Sequence, residues 1–117
     1  MPTDTPPPFA TAGGEDPSSF ARELVGEAAA GYTRARKATI AGVAPARGDV
    51  SCAHAADLLR AAVVAYAKAL RVAGVPPERA VVEVTSAIDA ELKLDALDRR
   101  ACVGTAVRWA IKAYDDA

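Results

Sequence analysis

Apolar residues recur every three to four positions along most of the chain, which is the spacing of one face of a helix. The first such stretch follows Asp16 and Pro17, because the aspartate can cap free backbone amides and the proline suits the first helical position. It ends before Gly42, since glycine is typical of a helix C-terminal cap. Gly31 costs about 1 kcal/mol relative to alanine in a helix interior, so a continuous helix and a break both stay open. The expected inward row, with its neighbours, is Phe20, Leu24, Ala28 and Tyr32, joined by Val25 and Ala29.

A second stretch begins at Asp49 or Ser51 and runs to Ala73, where Gly74 and the prolines after it indicate the end of a helix. Apolar residues cover most of its circumference, and its charges are confined to one strip. A helix of this kind belongs in the middle of a bundle. The expected core row is Leu59, Val63, Tyr66 and Leu70, and the charged strip is Asp57, Arg60, Lys68 and Arg71.

A third stretch opens with Pro76 and Pro77, where proline suits a first helical turn. The expected inward residues are Val81, Thr85, Ile88 and Leu92, with Val84 alongside. The β-branched run from Val81 to Thr85 would also suit a short strand. Helix is favoured, because the chain offers no second strand with which this one could pair.

The last helix is expected from about Asp95 to Tyr114. The row that should face the core is Leu97, Ala101, Gly104, Val107, Ile111 and Tyr114. Four helices joined by short connections predict an all-α protein, a small helical bundle over residues 16–117.

The first 15 residues differ in character from the rest of the chain. They are rich in proline and glycine, and Phe9 is their only bulky apolar residue, so the sequence predicts a disordered N-terminal tail. Of the 117 residues, 29 are alanine, which favours helices and is depleted in strands. A core that uses many alanines buries little area per residue and leaves room for association to add stability.

The charge balance bears on the partners of this chain. Its formal net charge is −1, whereas attraction to phosphate backbones or anionic membranes needs a positive surplus, so neither is an expected partner. The longest apolar region, residues 61–75, contains Lys68 and Arg71 and is too short to cross a bilayer. The first residues lack the basic and then apolar run of a secretory signal. We therefore expect a cytoplasmic protein whose Cys52 and Cys102 are free thiols.

Residues capable of catalysis are few. His54 is the only histidine, and it lies two positions after Cys52, so the pair would point to different faces of a helix. The acidic stretch of Asp89, Glu91, Asp95 and Asp98 is interleaved with basic residues and is typical of solvated helix ends. We expect no enzyme, no cofactor and no metal site.

Cys102 and Trp109 are the candidate interface residues. They are seven positions apart and therefore share one side of the last helix, away from its expected core row. Tryptophan is enriched at interface hot spots, so this side would contact a protein partner or a second copy of the chain. The alternative is that Trp109 packs under the first helix or the tail.

A local positive cluster suggests a second kind of partner. Arg34, Arg36 and Lys37 lie close together, with Tyr32 nearby for base stacking, and would serve a nucleic-acid-binding regulator. A solvated helix end explains the same residues without any ligand.

Two segments carry a resemblance. The run Tyr66-Ala67-Lys68-Ala69-Leu70-Arg71 leading into Gly74-Val75-Pro76-Pro77-Glu78-Arg79, and the later run Arg108-Trp109-Ala110-Ile111-Lys112-Ala113-Tyr114, resemble a pattern in small uncharacterised bacterial all-helical proteins. The resemblance covers the C-terminal half, implies a folded helical unit, and brings no activity, ligand or catalytic residue. The expected function is a non-enzymatic helical protein–protein interaction module, such as a regulatory or signalling accessory; the alternative is the nucleic-acid-binding regulator.

Overall fold

The computed structural model describes residues 17–42 and 51–117 of the chain. Within them lie four helices and no strand: α1 (Pro17–Ala41), α2 (Cys52–Val72), α3 (Pro77–Asp89) and α4 (Ala96–Asp116). The predicted all-α, four-helix architecture is therefore confirmed, and the segment from Val81 to Thr85 is helical. The predicted disordered tail lies outside the described residues.

The helix ends follow the capping signals. Ser51 and Asp95 cap α2 and α4, with their side-chain oxygens accepting the backbone N–H of His54 and Asp98 at 3.1 and 2.9 Å. Gly42 and Gly74 have φ of 70° and 83°, the left-handed conformation that glycine adopts without strain. α1 runs unbroken through Gly31, so the continuous helix is the correct alternative.

Helices α2 and α3 each pack against the three other helices, so α2 shares with α3 the central position expected of it. Arg22 on α1 reaches Glu83 and Ser86 on α3, and Thr33, further along α1, reaches the loop after α3. The later residue of α1 therefore meets the later part of the α3 region, so α1 and α3 run in the same direction. Helices α2 and α4 also run in the same direction, because Arg60 contacts Trp109 and, further along both helices, Arg71 contacts Tyr114.

The core row of α2 is the predicted one, since Leu59, Val63, Tyr66 and Leu70 are all buried. The row of α1 is confirmed only for Val25 and Ala29. Phe20 and Leu24 are exposed, and the buried residues of this helix are Ala21, Val25, Ala29 and Thr33. In α3, Val84 and Ile88 are buried as predicted, together with Ala80 and Ala87, whereas Val81 and Thr85 are half-buried.

The predicted core row of α4 is wrong for most of its members. Leu97, Ala101, Gly104 and Ile111 are exposed, and this helix faces the core with Ala106, Ala110 and Ala113. One physical reason accounts both for this orientation and for the exposed Phe20 and Leu24 of α1. The distance between packed helices depends on the side chains at their contact, so alanine rows face the neighbouring helix at close range and larger residues stay at the rim.

Candidate interaction surface

The predicted interface residue Trp109 is half-buried and packs against the core cluster. The guanidinium carbon of Arg60 lies 5.9 Å from the centre of its ring, a cation–π contact between α2 and α4. Much of the tryptophan surface is therefore used inside the bundle. A role for Trp109 in binding a partner stays a prediction.

Cys102 is also half-buried and packs against the core, with Cys52 of α2 and Tyr32 of α1 nearby. Burial raises the pKa of the Cys102 thiol, and the nearby Cys52 raises it further. Burial likewise raises the pKa of the Tyr32 hydroxyl, and the two cysteines add to this effect. The two thiols are 50 positions apart in the sequence, so no local signal indicates that they meet.

The basic residues of α1 do not form one patch. Arg34 and Lys37 are exposed, whereas Arg36 lies about 160° around the helix from Arg34 and turns toward α4. Its Nη2 is 3.3 Å from Oδ1 of Asp98, and this carboxylate raises the pKa of Arg36 through a hydrogen bond and through its charge. The nucleic-acid alternative stays a prediction that now depends on Arg34 and Lys37.

The other candidate polar residues are at helix ends, as expected. His54 is exposed in the first turn of α2, and Asp95 is the cap of α4. Asp89 lies 3.8 Å from Arg99 across the α3–α4 hairpin, a surface ion pair. Within residues 17–42 and 51–117, no three histidine, cysteine or acidic side chains are grouped so that they could hold a metal ion.

An open groove of about 470 Å³ separates α1 from α3. Small residues form its floor, and its rim carries the carboxylates of Glu23, Glu27 and Glu91. Arg22 lines one end, where it is held by Glu83 at 3.0 Å. The groove is an acidic recess of the surface, and the sequence pattern did not indicate it because its residues come from two separate helices.

The side of α4 that faces away from the bundle carries exposed apolar residues among the charged Arg100, Arg108 and Asp115. We call Leu97, Ala101, Gly104 and Ile111 the outer row. Leu97 is 79% exposed and Ile111 is 47% exposed. Gly104 precedes the buried Ala106 by two residues and so points about 160° away from the core. A Cβ added to Gly104 would meet nothing within 4 Å, so the middle of the row is flat and open.

No helix among the described residues is both long enough and apolar enough to cross a membrane. Comparison of the chain with protein-family models, with curated proteins and with solved structures gives no match.

Proposed function

We propose that this chain is a non-enzymatic helical interaction module whose partner is a second copy of itself, bound through the outer row of α4. The observation that supports this most directly is the exposure of Leu97 and Ile111 on either side of the open Gly104. The surface of a helix that packs on one side only is normally polar on the other. Here that other side carries two large aliphatic residues and two very small ones, and the exposed Arg100 and Arg108 lie about 40° to either side of Gly104.

The spacing of the row is self-complementary. Leu97 lies seven residues before Gly104 and Ile111 lies seven residues after it. If two α4 helices cross antiparallel at Gly104, a two-fold axis passes through the crossing and each Leu97 faces Ile111 of the other copy. Gly104 then meets Gly104, where the absence of side chains lets the two backbones approach closely.

Charge has two opposing effects on this arrangement. The exposed Arg100 and Arg108 lie four residues before and after Gly104, so the crossing brings Arg100 of each copy to the level of Arg108 of the other, where the two repel. A second pair of residues is attractive. Asp98 and Lys112 are fourteen residues apart, close to four helical turns, so both lie on one flank of the outer row. They are six and eight residues from Gly104, in opposite directions. In the antiparallel pair, Lys112 of each copy therefore lies beside Asp98 of the other. Asp98 already holds Arg36 at 3.3 Å, and the added lysine would complete a small network across the interface.

One helix face is a small interface, of the size typical of reversible association. The wild-type chain is therefore expected to shift from monomer to dimer as its concentration rises, and analytical ultracentrifugation measures this directly. Gly104→Glu should abolish the dimer, because the new carboxylates would meet each other on the two-fold axis. The substitution introduces a better helix former at a site with open space, so the monomer should stay folded.

Two controls make the test specific. Val72→Glu places the same charge on the most exposed large apolar residue, 86% exposed at the end of α2, and should leave the dimer intact. Gly104→Lys should be monomeric alone, yet should form a heterodimer when mixed with Gly104→Glu, since only a two-fold contact sets position 104 against itself. A wild-type chain that is monomeric at every concentration, or a Gly104→Glu dimer as tight as wild type, would contradict the proposal.

A further inference from the structure

The two cysteines lie at the same end of two helices that pack side by side and run in the same direction. Arg60 on α2 stacks over Trp109 on α4, and Arg71 contacts Tyr114 further along the same pair. Counted back along both helices, the first contact places Cys52 level with residue 101 of α4 and the second places it level with residue 95. Cys102 lies just beyond this range, and Cys52 is near enough to it to raise the pKa of its thiol.

Their surroundings join three helices. Both thiols are half-buried, and each is close enough to Tyr32 of α1 to affect its hydroxyl. Cys102 and Tyr32 pack against the core cluster, so the site is backed by apolar side chains. The chain has only these two cysteines, and the fold brings them together from positions 52 and 102.

We propose that Cys52 and Cys102 form a redox-sensitive thiol pair, which a hydroperoxide converts into a disulfide that joins the start of α2 to α4. Free thiols, as the sequence predicts, are then the reduced form of a two-state site. The proposal concerns the inner side of α4 and does not depend on the outer row.

The reaction balances with hydrogen peroxide as the oxidant. One sulfur, as thiolate, attacks a peroxide oxygen, the O–O bond breaks, and a sulfenic acid and water are produced once the hydroxide is protonated. The second sulfur attacks the sulfenic sulfur, the S–O bond breaks, and the hydroxyl leaves as a second water after taking up a proton. Two thiols are oxidised by two electrons in total, and one peroxide is reduced to two waters.

The structure assigns the first step to Cys52. Burial raises the pKa of the Cys102 thiol, which keeps this sulfur protonated and suits it to the second step. Cys52 is also the more adaptable partner, because it opens the first turn of α2, whose N–H groups have no carbonyl of their own helix to bind. A disulfide places the two Cα atoms about 4.4–6.8 Å apart, and any adjustment that the bond needs falls on this turn.

The test uses the full chain at a concentration where it is monomeric, treated with hydrogen peroxide in the absence of metals. Intact-mass spectrometry should show the loss of two hydrogen atoms, and peptide mapping should find the peptide of Cys52 linked to that of Cys102. A thiol reductant should restore the original mass. The oxidised chain should also melt at a higher temperature than the reduced chain, because the bond restricts the unfolded state.

Single variants separate this outcome from simple oxidation of exposed sulfur. Cys102→Ser should accumulate a trappable sulfenic acid at Cys52, whereas Cys52→Ser should react far more slowly with peroxide. Wild-type chain that only gains oxygen, that forms covalent dimers, or that has an unchanged melting temperature after full linkage would overturn the proposal. Repeating the experiment in the Gly104→Glu background keeps it independent of self-association through the outer row.

Discussion

Thr33 is the one buried polar residue among the described part of the chain, and it links α1 to the loop between α3 and α4. Its Oγ1 donates a hydrogen bond to the carbonyl of Ala29 at 2.9 Å and accepts one from the backbone N–H of Lys93 at 3.2 Å. The carbonyl of Glu91 lies 3.4 Å from the same oxygen. Thr33→Val keeps the shape of the side chain and removes its capacity to accept the Lys93 N–H.

The cost of Thr33→Val follows from the group left behind. A buried donor without a partner costs about 1–3 kcal/mol, and the hydrogen bond of the Lys93 N–H is only partly buried, which sets the cost at or below about 2 kcal/mol. The methyl group that replaces the hydroxyl offsets up to about 0.8 kcal/mol of this by its own burial. The expected net loss in the free energy of unfolding is therefore about 0.2–2 kcal/mol, equivalent to a fall in Tm of roughly 1–10 °C for a domain of this size.

Urea denaturation followed by circular dichroism measures this loss, with Thr39→Val as the matched variant. Thr39 lies on the same helix and donates the same kind of bond, to the carbonyl of Ala35 at 3.0 Å, but it is exposed and this bond stays within α1. Its substitution should change stability by less than about 0.5 kcal/mol. Equal losses in the two variants would refute the reasoning, because the contact with the α3–α4 loop would then contribute nothing.

Two further predictions test the packing and the thiol site. Ile88→Ala should lower the free energy of unfolding by about 2–5 kcal/mol, since it empties a fully buried position. Leu97→Ala should cost less than about 0.5 kcal/mol, because Leu97 is exposed. Similar urea midpoints for the two variants would contradict the orientation of α4. Because the pKa of Cys102 is raised, the folded thiol keeps its proton at pH values where the unfolded thiol loses it. The protonated thiol therefore contributes its full share of stability below the ordinary thiol pKa. This share is lost as the pH rises through the raised pKa of the folded state. The stability of the wild-type chain should accordingly fall more steeply than that of Cys102→Ser in alkaline buffers, and parallel curves would exclude this linkage.

The accuracy of the sequence analysis differed between helices for a definable reason. In α2 the large residues Leu59 and Leu70 are themselves the core, so the hydrophobic pattern identifies the buried side. The buried row of α4 consists of alanine, and that of α1 contains two alanines with Val25 and Thr33, whereas the larger Phe20 and Leu97 are exposed. Large apolar residues dominate the hydrophobic pattern, so the predicted core row was wrong for most of α4 and for the N-terminal part of α1.

The candidate interaction residues were also predicted only in part from the sequence. The sequence identified Trp109 and Cys102 as sharing one side of α4, yet it placed that side away from the core, and the structure turns both residues partly inward. The outer row was recognised as an apolar stripe, but as a stripe that the fold would bury. The meeting of Cys52 with Cys102 had no sequence signal, because helix–helix packing brings together residues from distant positions.

By itself, the sequence determined the number of helices and where they end, since capping and turn formation involve residues that are neighbours along the chain. Ser51, Asp95 and the positive-φ glycines Gly42 and Gly74 act within a few residues of their own positions. Only the tertiary structure decided which side of each helix is buried. In an alanine-rich bundle, that choice depends on how closely two helices can approach, and this is a property of the pair of surfaces rather than of either segment alone.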